Sequence, residues 1–319
     1  MSYNLKPALT IAEQVDRLKQ RDMIIEDEAE AACVLERTNY YRFTGYAFLF
    51  QKGNNRFHKG TSFRQILRLM DFDTALRQIL MASLEYIEIY ARTQIAYWFS
   101  LNHGRDGGAH YDPALFADAQ FHQEYLDNLQ TQMDRNCGQP FVAHHIQSFG
   151  GKMPLWSAVE ILSFSTLSKL YSNMQLPDKE LIAANVDTDV EHLTNWLHCF
   201  SVLRNACAHF SRLYSIVYSP KASLDGKLLR KYSDIQQDTL FAYVIAMLRI
   251  MPDESRKTRL VTSLKALIDE YTDSINLSSI GFPAVWEEIL TNKQIITLKP
   301  VSQEKKQVKN EQPTEGEAE

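Results

Sequence analysis

Arg204, Asn205 and His209 are the residues of this chain whose types and spacing fit one reaction. They lie in Ser201-Val-Leu-Arg-Asn-Ala-Cys-Ala-His-Phe-Ser-Arg-Leu-Tyr214. A guanidinium is permanently charged, and its planar fork matches phosphate oxygens. An imidazole takes or gives a proton near neutral pH. RNA carries its own nucleophile, the 2′-hydroxyl, so an Arg and a His are sufficient in kind to cut it without metal. DNA lacks that hydroxyl and would not be cut this way. Asn205 would orient the His or bind phosphate.

These side chains need a helix to bring them together. Leu193–Phe200 reads as helix, and small residues separate Asn205 from His209. Four residues apart on a helix, Asn205 and His209 share a face, about 40° apart, while Arg204 stands about 140° from His209. A long Arg side chain still reaches the imidazole where the helix borders a cleft. The same spelling recurs at Arg105-Asp-Gly-Gly-Ala-His110, where two glycines make a loop with no helical face. That copy is read as coincidence, and removing Arg105 is expected to change nothing.

Leu203-Arg-Asn-Ala-Cys-Ala-His-Phe-Ser-Arg-Leu213 resembles the signature of the Abi-like (abortive infection) proteins of the HEPN superfamily of helical RNA-cleaving domains. Further blocks of the chain are similar to the same family. They are Lys6–Gln14, Asn39–Tyr46, Ile87–Gln94, Pro154–Phe164 and Gly281–Trp286, so the resemblance runs in order over about residues 5–290. Phe210 stands where relatives often carry a second His. The resemblance implies an endoribonuclease of phage defence with Arg204, Asn205 and His209 as catalytic residues, and a homodimer that brings two motifs together. It leaves open an inhibitory or guide RNA, or a protein antitoxin, as a further partner. HEPN toxins held by a nucleotidyltransferase tend to carry Tyr just after the motif His, whereas Ser211 stands here. A non-catalytic RNA-binding or protein-interaction module of the same fold is the alternative.

The bounds agree with such a protein. An apolar fraction of 45% and a charged fraction of 23% describe a soluble globular chain. No apolar run approaches a membrane span. The first residues are polar and lack the features of a signal peptide, so a cytoplasmic setting without membrane contact is expected. Cys33, Cys137, Cys199 and Cys207 show neither disulfide nor metal spacing. His198, Cys199, Cys207 and His209 fit no zinc pattern, and His144-His145 has no ligand at suitable spacing. No metal and no cofactor are expected. A P-loop, a G-x-S-x-G elbow and an H-E-x-x-H are absent.

Net charge is −5, which argues against a generally basic RNA surface. Between residues 204 and 231, however, Arg204, Arg212, Lys221, Lys227, Arg230 and Lys231 face only Asp225. This strip either positions phosphates or is an ordinary solvated loop.

The expected fold is all-α: a helical lead-in over residues 1–60, a HEPN-like helical domain over 61–295 and a disordered charged tail over 296–319. Thr10-Ile-Ala-Glu13 is a capping box. A second helix follows over Asp27–Arg37, with Ala29, Ala32, Cys33 and Leu35 inward. The aromatic segment Tyr40–Phe50 is either core or, with Arg42, a stacking surface for bases. Thr61-Ser62 starts the strongest element, with Ile66, Leu69, Met70, Asp73, Leu76, Ile79, Leu80, Leu84, Ile87, Ala91 and Ile95 at helical spacing. Glu88 and Arg92 on it are either a surface i,i+4 ion pair or face the motif helix and orient its side chains. Leu155–Tyr171 reads as one buried helix, and Thr188-x-x-Glu191 as the capping box of the motif helix. Leu240–Ile250 and Leu260–Tyr271 read as later helices.

Overall fold

The computed structural model of the chain describes residues 7–296. Apart from Ile296, which closes the short helix Lys293–Ile296, the expected charged tail lies outside the described residues. Among these residues there are fifteen α-helices and no strand, as expected for an all-α chain. Three isolated bridges are the sole extended pairings among the described residues.

The bundle is built around one helix, Phe63–Asn102, 40 residues long, or about 60 Å. The Ser62 hydroxyl accepts the Gln65 N–H at 3.1 Å and starts it. Ile66, Leu69, Phe72, Leu76, Leu80, Leu84, Ile87 and Ile95 are fully or almost fully buried along it, at the three- and four-residue spacing of a core-facing stripe. Packed against it are Tyr40–Ala47, Leu155–Ile161, Leu176–Asn185, Val190–Ala208, Leu240–Ile250 and Glu254–Glu270. Burying charge is unfavourable unless the charges are paired. This helix buries four charged residues in two i,i+4 pairs, Asp73–Arg77 and Glu88–Arg92. Both pairs also hold the motif region.

The lead-in is tied to the start of the long helix through its backbone. Ile24 N–H donates to the Thr61 carbonyl at 2.9 Å, and Phe63 N–H donates to the Ile24 carbonyl at 2.8 Å. The Thr10–Glu13 capping box forms. The second helix buries Ala31 and Leu35, while Ala29 and Cys33 are exposed, so its inner face is rotated from the expected one. In the aromatic segment Phe43 and Tyr46 are core, and Phe43 stacks on Phe63 with ring centres 4.5 Å apart. Tyr41 and Phe48 point outward.

Three boundaries differ from expectation. Leu155–Tyr171 is two helices, Leu155–Ile161 and Phe164–Asn173, because Leu162 is extended and Ser163 caps the second by accepting the Thr166 N–H. The motif helix is capped by Asp189 rather than Thr188; the Thr188 hydroxyl is buried without a partner. The helix expected from Leu260 begins at Glu254, because Asp253 caps it.

Candidate active site at the end of the motif helix

The motif helix is Val190–Ala208. It buries Leu193, Trp196, Leu197, Phe200, Leu203 and Cys207, which leaves Arg204 and Asn205 half-buried at the edge of the core. Arg204 reaches the long helix. Its Nε lies 3.2 Å from Glu88 Oε2 as an ion pair without hydrogen-bond alignment, since this nitrogen has no hydrogen-bond partner. The other Glu88 oxygen pairs with Arg92 Nη2. That nitrogen also donates at 2.8 Å to the Leu162 carbonyl, which the break between the two helices exposes.

One carboxylate therefore holds two guanidiniums, and the cluster keeps one positive charge in excess. Glu88 and Arg92 are 7% and 9% exposed, so their pair is buried and is not the surface pair weighed from the spacing. The Arg204 side chain is 34% exposed. The excess charge thus meets solvent through Arg204. Asn205 makes only long contacts: its Nδ2 donates to Ser165 Oγ at 3.4 Å, and its Oδ1 accepts from Arg204 Nη1 at 3.5 Å.

His209 is the residue that ends the helix, with φ −94° and ψ 14°. Its N–H donates to the Asn205 carbonyl at 2.9 Å. The imidazole is exposed and bonds to no other described residue. Phe210 follows in the left-handed region at φ 57°. Ser211 N–H donates to Ala206 O at 2.9 Å and Phe210 N–H to Cys207 O at 3.2 Å, which is the Schellman closure usually built on Gly. A bulky side chain in that conformation costs about 1 kcal/mol.

Clamps from two helices hold this strained turn. Arg42 donates to the Phe210 carbonyl at 2.8 Å, and Arg212 to the Gly45 carbonyl at 2.6 Å. Arg77 donates to the Ser211 carbonyl at 3.2 Å. Asp73, paired with Arg77, accepts the Leu213 N–H at 3.1 Å, the Tyr214 N–H at 2.8 Å and the Tyr46 hydroxyl at 2.7 Å. Burial pushes the Asp73 carboxyl above its usual range, opposed by the Tyr46 hydroxyl, the Arg77 charge and the two N–H groups. Arg42, Asp73 and Arg77 thus position the segment that carries His209, a role not anticipated from sequence. The available signal was Asp73, an acid in register with an apolar stripe.

The basic strip lies further from the motif than chain order suggests. Asn195 donates to the Lys221 carbonyl at 2.9 Å and accepts the Ser223 N–H at 2.7 Å. Asn195 is nine residues before Arg204, or roughly 14 Å along the helix. Lys221 pairs with Asp238 at 3.3 Å. Lys227, Arg230 and Lys231 lie exposed on the short helix Gly226–Lys231.

Burial pushes the thiols of Cys199 and Cys207 up to about 11 and about 12, which keeps both protonated at neutral pH. Among the described residues no group of three or more His, Cys, Asp or Glu side chains is placed to hold a metal ion. Nor is any of their helices long and apolar enough to cross a membrane. In the Arg105–His110 copy, His110 is fully buried, with Nδ1 2.6 Å from the Tyr125 hydroxyl and Nε2 2.8 Å from the Met153 carbonyl.

No curated protein and no solved structure matches the chain. The family model for Abi-like proteins matches residues 33–215, from the second helix through Asp73, Glu88, Arg204 and His209 to the clamped turn. The blocks at Lys6–Gln14 and Gly281–Trp286 lie outside the matched residues. With more than half of its length matched, the chain belongs to the Abi-like protein family.

Proposed function

We propose that the protein is a metal-independent endoribonuclease of the HEPN type that acts in abortive infection, halting a phage-infected cell by cutting its RNA in the cytoplasm. One observation carries this reading. Glu88 divides its charge between Arg92 and a partly open Arg204, and the helix that bears Arg204 ends on a solvent-facing His209.

The exposed part of Arg204 receives the scissile phosphate and stabilises the extra negative charge of the transition state. His209 takes the 2′-hydroxyl proton or gives one to the leaving 5′-oxygen. The 2′-oxygen–phosphorus bond forms as the phosphorus–5′-oxygen bond breaks, which leaves a 2′,3′-cyclic phosphate and a 5′-hydroxyl. Asn205 supports either partner. A single imidazole does not serve both oxygens in one step. A second copy, docked by a two-fold axis near His209, supplies the other. Arg212 at the motif turn and, further from it, Lys221, Lys227, Arg230 and Lys231 add positive charge that attracts the RNA backbone.

The test is an RNA with 2′-deoxyribose at the scissile position, incubated with protein in excess EDTA. The all-ribose RNA is cut and the substituted one resists; cleavage of the deoxy substrate would overturn the mechanism. A binding module is the second reading, favoured by the lack of a described group that orients the His209 ring. It would shift labelled RNA in chelator without shortening it.

A further inference from the structure

Trp156 stands in a cleft of about 450 Å³ between the long helix and Leu155–Ile161, a volume in the range of small-molecule sites. We propose that this cleft binds one base of single-stranded RNA a few nucleotides from the scissile bond, stacked on Trp156 and Tyr97 with its phosphate on Arg105. The proposal rests on the RNA reading above and names how that substrate is held.

Two residues that line the cleft each carry a buried polar atom without a partner. Arg92 is 9% exposed and its Nη1 has no hydrogen bond; Ser100 is 5% exposed and neither does its hydroxyl. Buried polar groups are nearly always paired, and neither of these atoms is open to solvent, so a ligand acceptor reaches them only when a side chain of the cleft wall shifts. Arg92 and Ser100 are eight residues apart on one helix face, or about 12 Å. Arg92 also connects the cleft to the motif, because its Nη2 pairs with the carboxylate that holds Arg204.

The walls suit a base. Trp156 and Tyr97 are large exposed aromatics, and a base–aromatic stack tolerates any sequence. The Trp156 ring packs against the backbone of Gly107. Gly107, at φ 75°, lies so close that a Cβ there would sit 2.5 Å from Trp156 Cζ3, and the Leu155 N–H donates to the Gly107 carbonyl at 3.0 Å. Arg105, on the same loop, is exposed and has no ion-pair partner among the described residues. It is free to meet a phosphate. Glu160 at the lip accepts from a base amino group. The role given to Arg105 is binding, owes nothing to the buried His110 and replaces the expectation from sequence that removing Arg105 changes nothing.

The experiment measures binding apart from cleavage, by titrating a fluorescein-labelled, fully 2′-O-methyl RNA hexamer, which cannot be cut. Trp156→Ala and Tyr97→Ala should each weaken binding at least about fivefold, the lower end for one lost stack. Trp156→Phe should keep most of it. Arg105→Gln, at an exposed site, should weaken it and flatten its dependence on salt. Unchanged binding in all three weakening variants, with wild-type circular dichroism, would overturn the proposal. So would a cleft that takes the four 5′-mononucleotides in competition assays but not the hexamer. If the wild type does not cut RNA yet binds the hexamer through Trp156, the nuclease reading falls and this one stands. If it cuts RNA with binding indifferent to Trp156, the reverse holds.

Discussion

Glu88 Oε2 lies 3.2 Å from Arg204 Nε, while Glu88 Oε1 pairs with Arg92. This places a single buried acid between the long helix and the catalytic candidate. Removing it leaves two guanidiniums without their counter-charge, and breaking a buried pair costs about 3–5 kcal/mol. Glu88→Ala should therefore lower the unfolding free energy by about 3 kcal/mol in urea titration. Arg204→Ala should be milder, since Glu88 keeps Arg92. Equal losses would show that Glu88 does not serve both arginines.

Phe210 occupies the left-handed position beside His209. Phe210→Gly removes the Cβ penalty and should raise stability by about 1 kcal/mol, read as a higher urea midpoint at unchanged slope. A fall in midpoint would mean that the exposed ring makes a stabilising contact exceeding the strain.

His110 gives the fold an acid-sensitive point. Burial lowers its pKa from 6.5 to about 4, so the folded protein holds it neutral while the unfolded chain takes up a proton. Stability is complete above about pH 6.5 and declines as pH falls toward 4. Over that interval the wild type should lose about 3 kcal/mol more than His110→Phe. Parallel pH profiles of urea unfolding would contradict it.

Much of this was legible from residue types. The Thr10 box, the long helix from Ser62 and the Glu88–Arg92 spacing are local patterns, and local hydrogen bonds and helical periodicity build them. Nothing local separates a surface pair from one that faces the motif helix, so packing decided between the two readings and singled out Arg204 as the third partner. The Leu162–Ser163 break lies within a continuous apolar run, whose hydrophobicity hides a cap. Thr188 and Asp189 are both good caps, and one residue of register decided between them. Phe210 breaks the usual Gly preference, so the turn at His209 had no signal in its own residue; its clamps, Arg42 and Asp73, come from more than a hundred residues away.

If two copies share one site, random mixing exposes it. Wild type refolded with an equal amount of His209→Ala should keep about a quarter of the activity, the fraction of dimers with two intact chains. Independent sites would keep about half, and a fully active monomer by sedimentation would exclude sharing altogether.

The most direct measurement compares wild type and His209→Ala on a defined RNA in excess EDTA, with the product ends read by mass. The wild type should yield fragments ending in 2′,3′-cyclic phosphate, and the variant, folded by circular dichroism, should yield none above background. Cleavage by His209→Ala at the wild-type rate would contradict the assignment of this site.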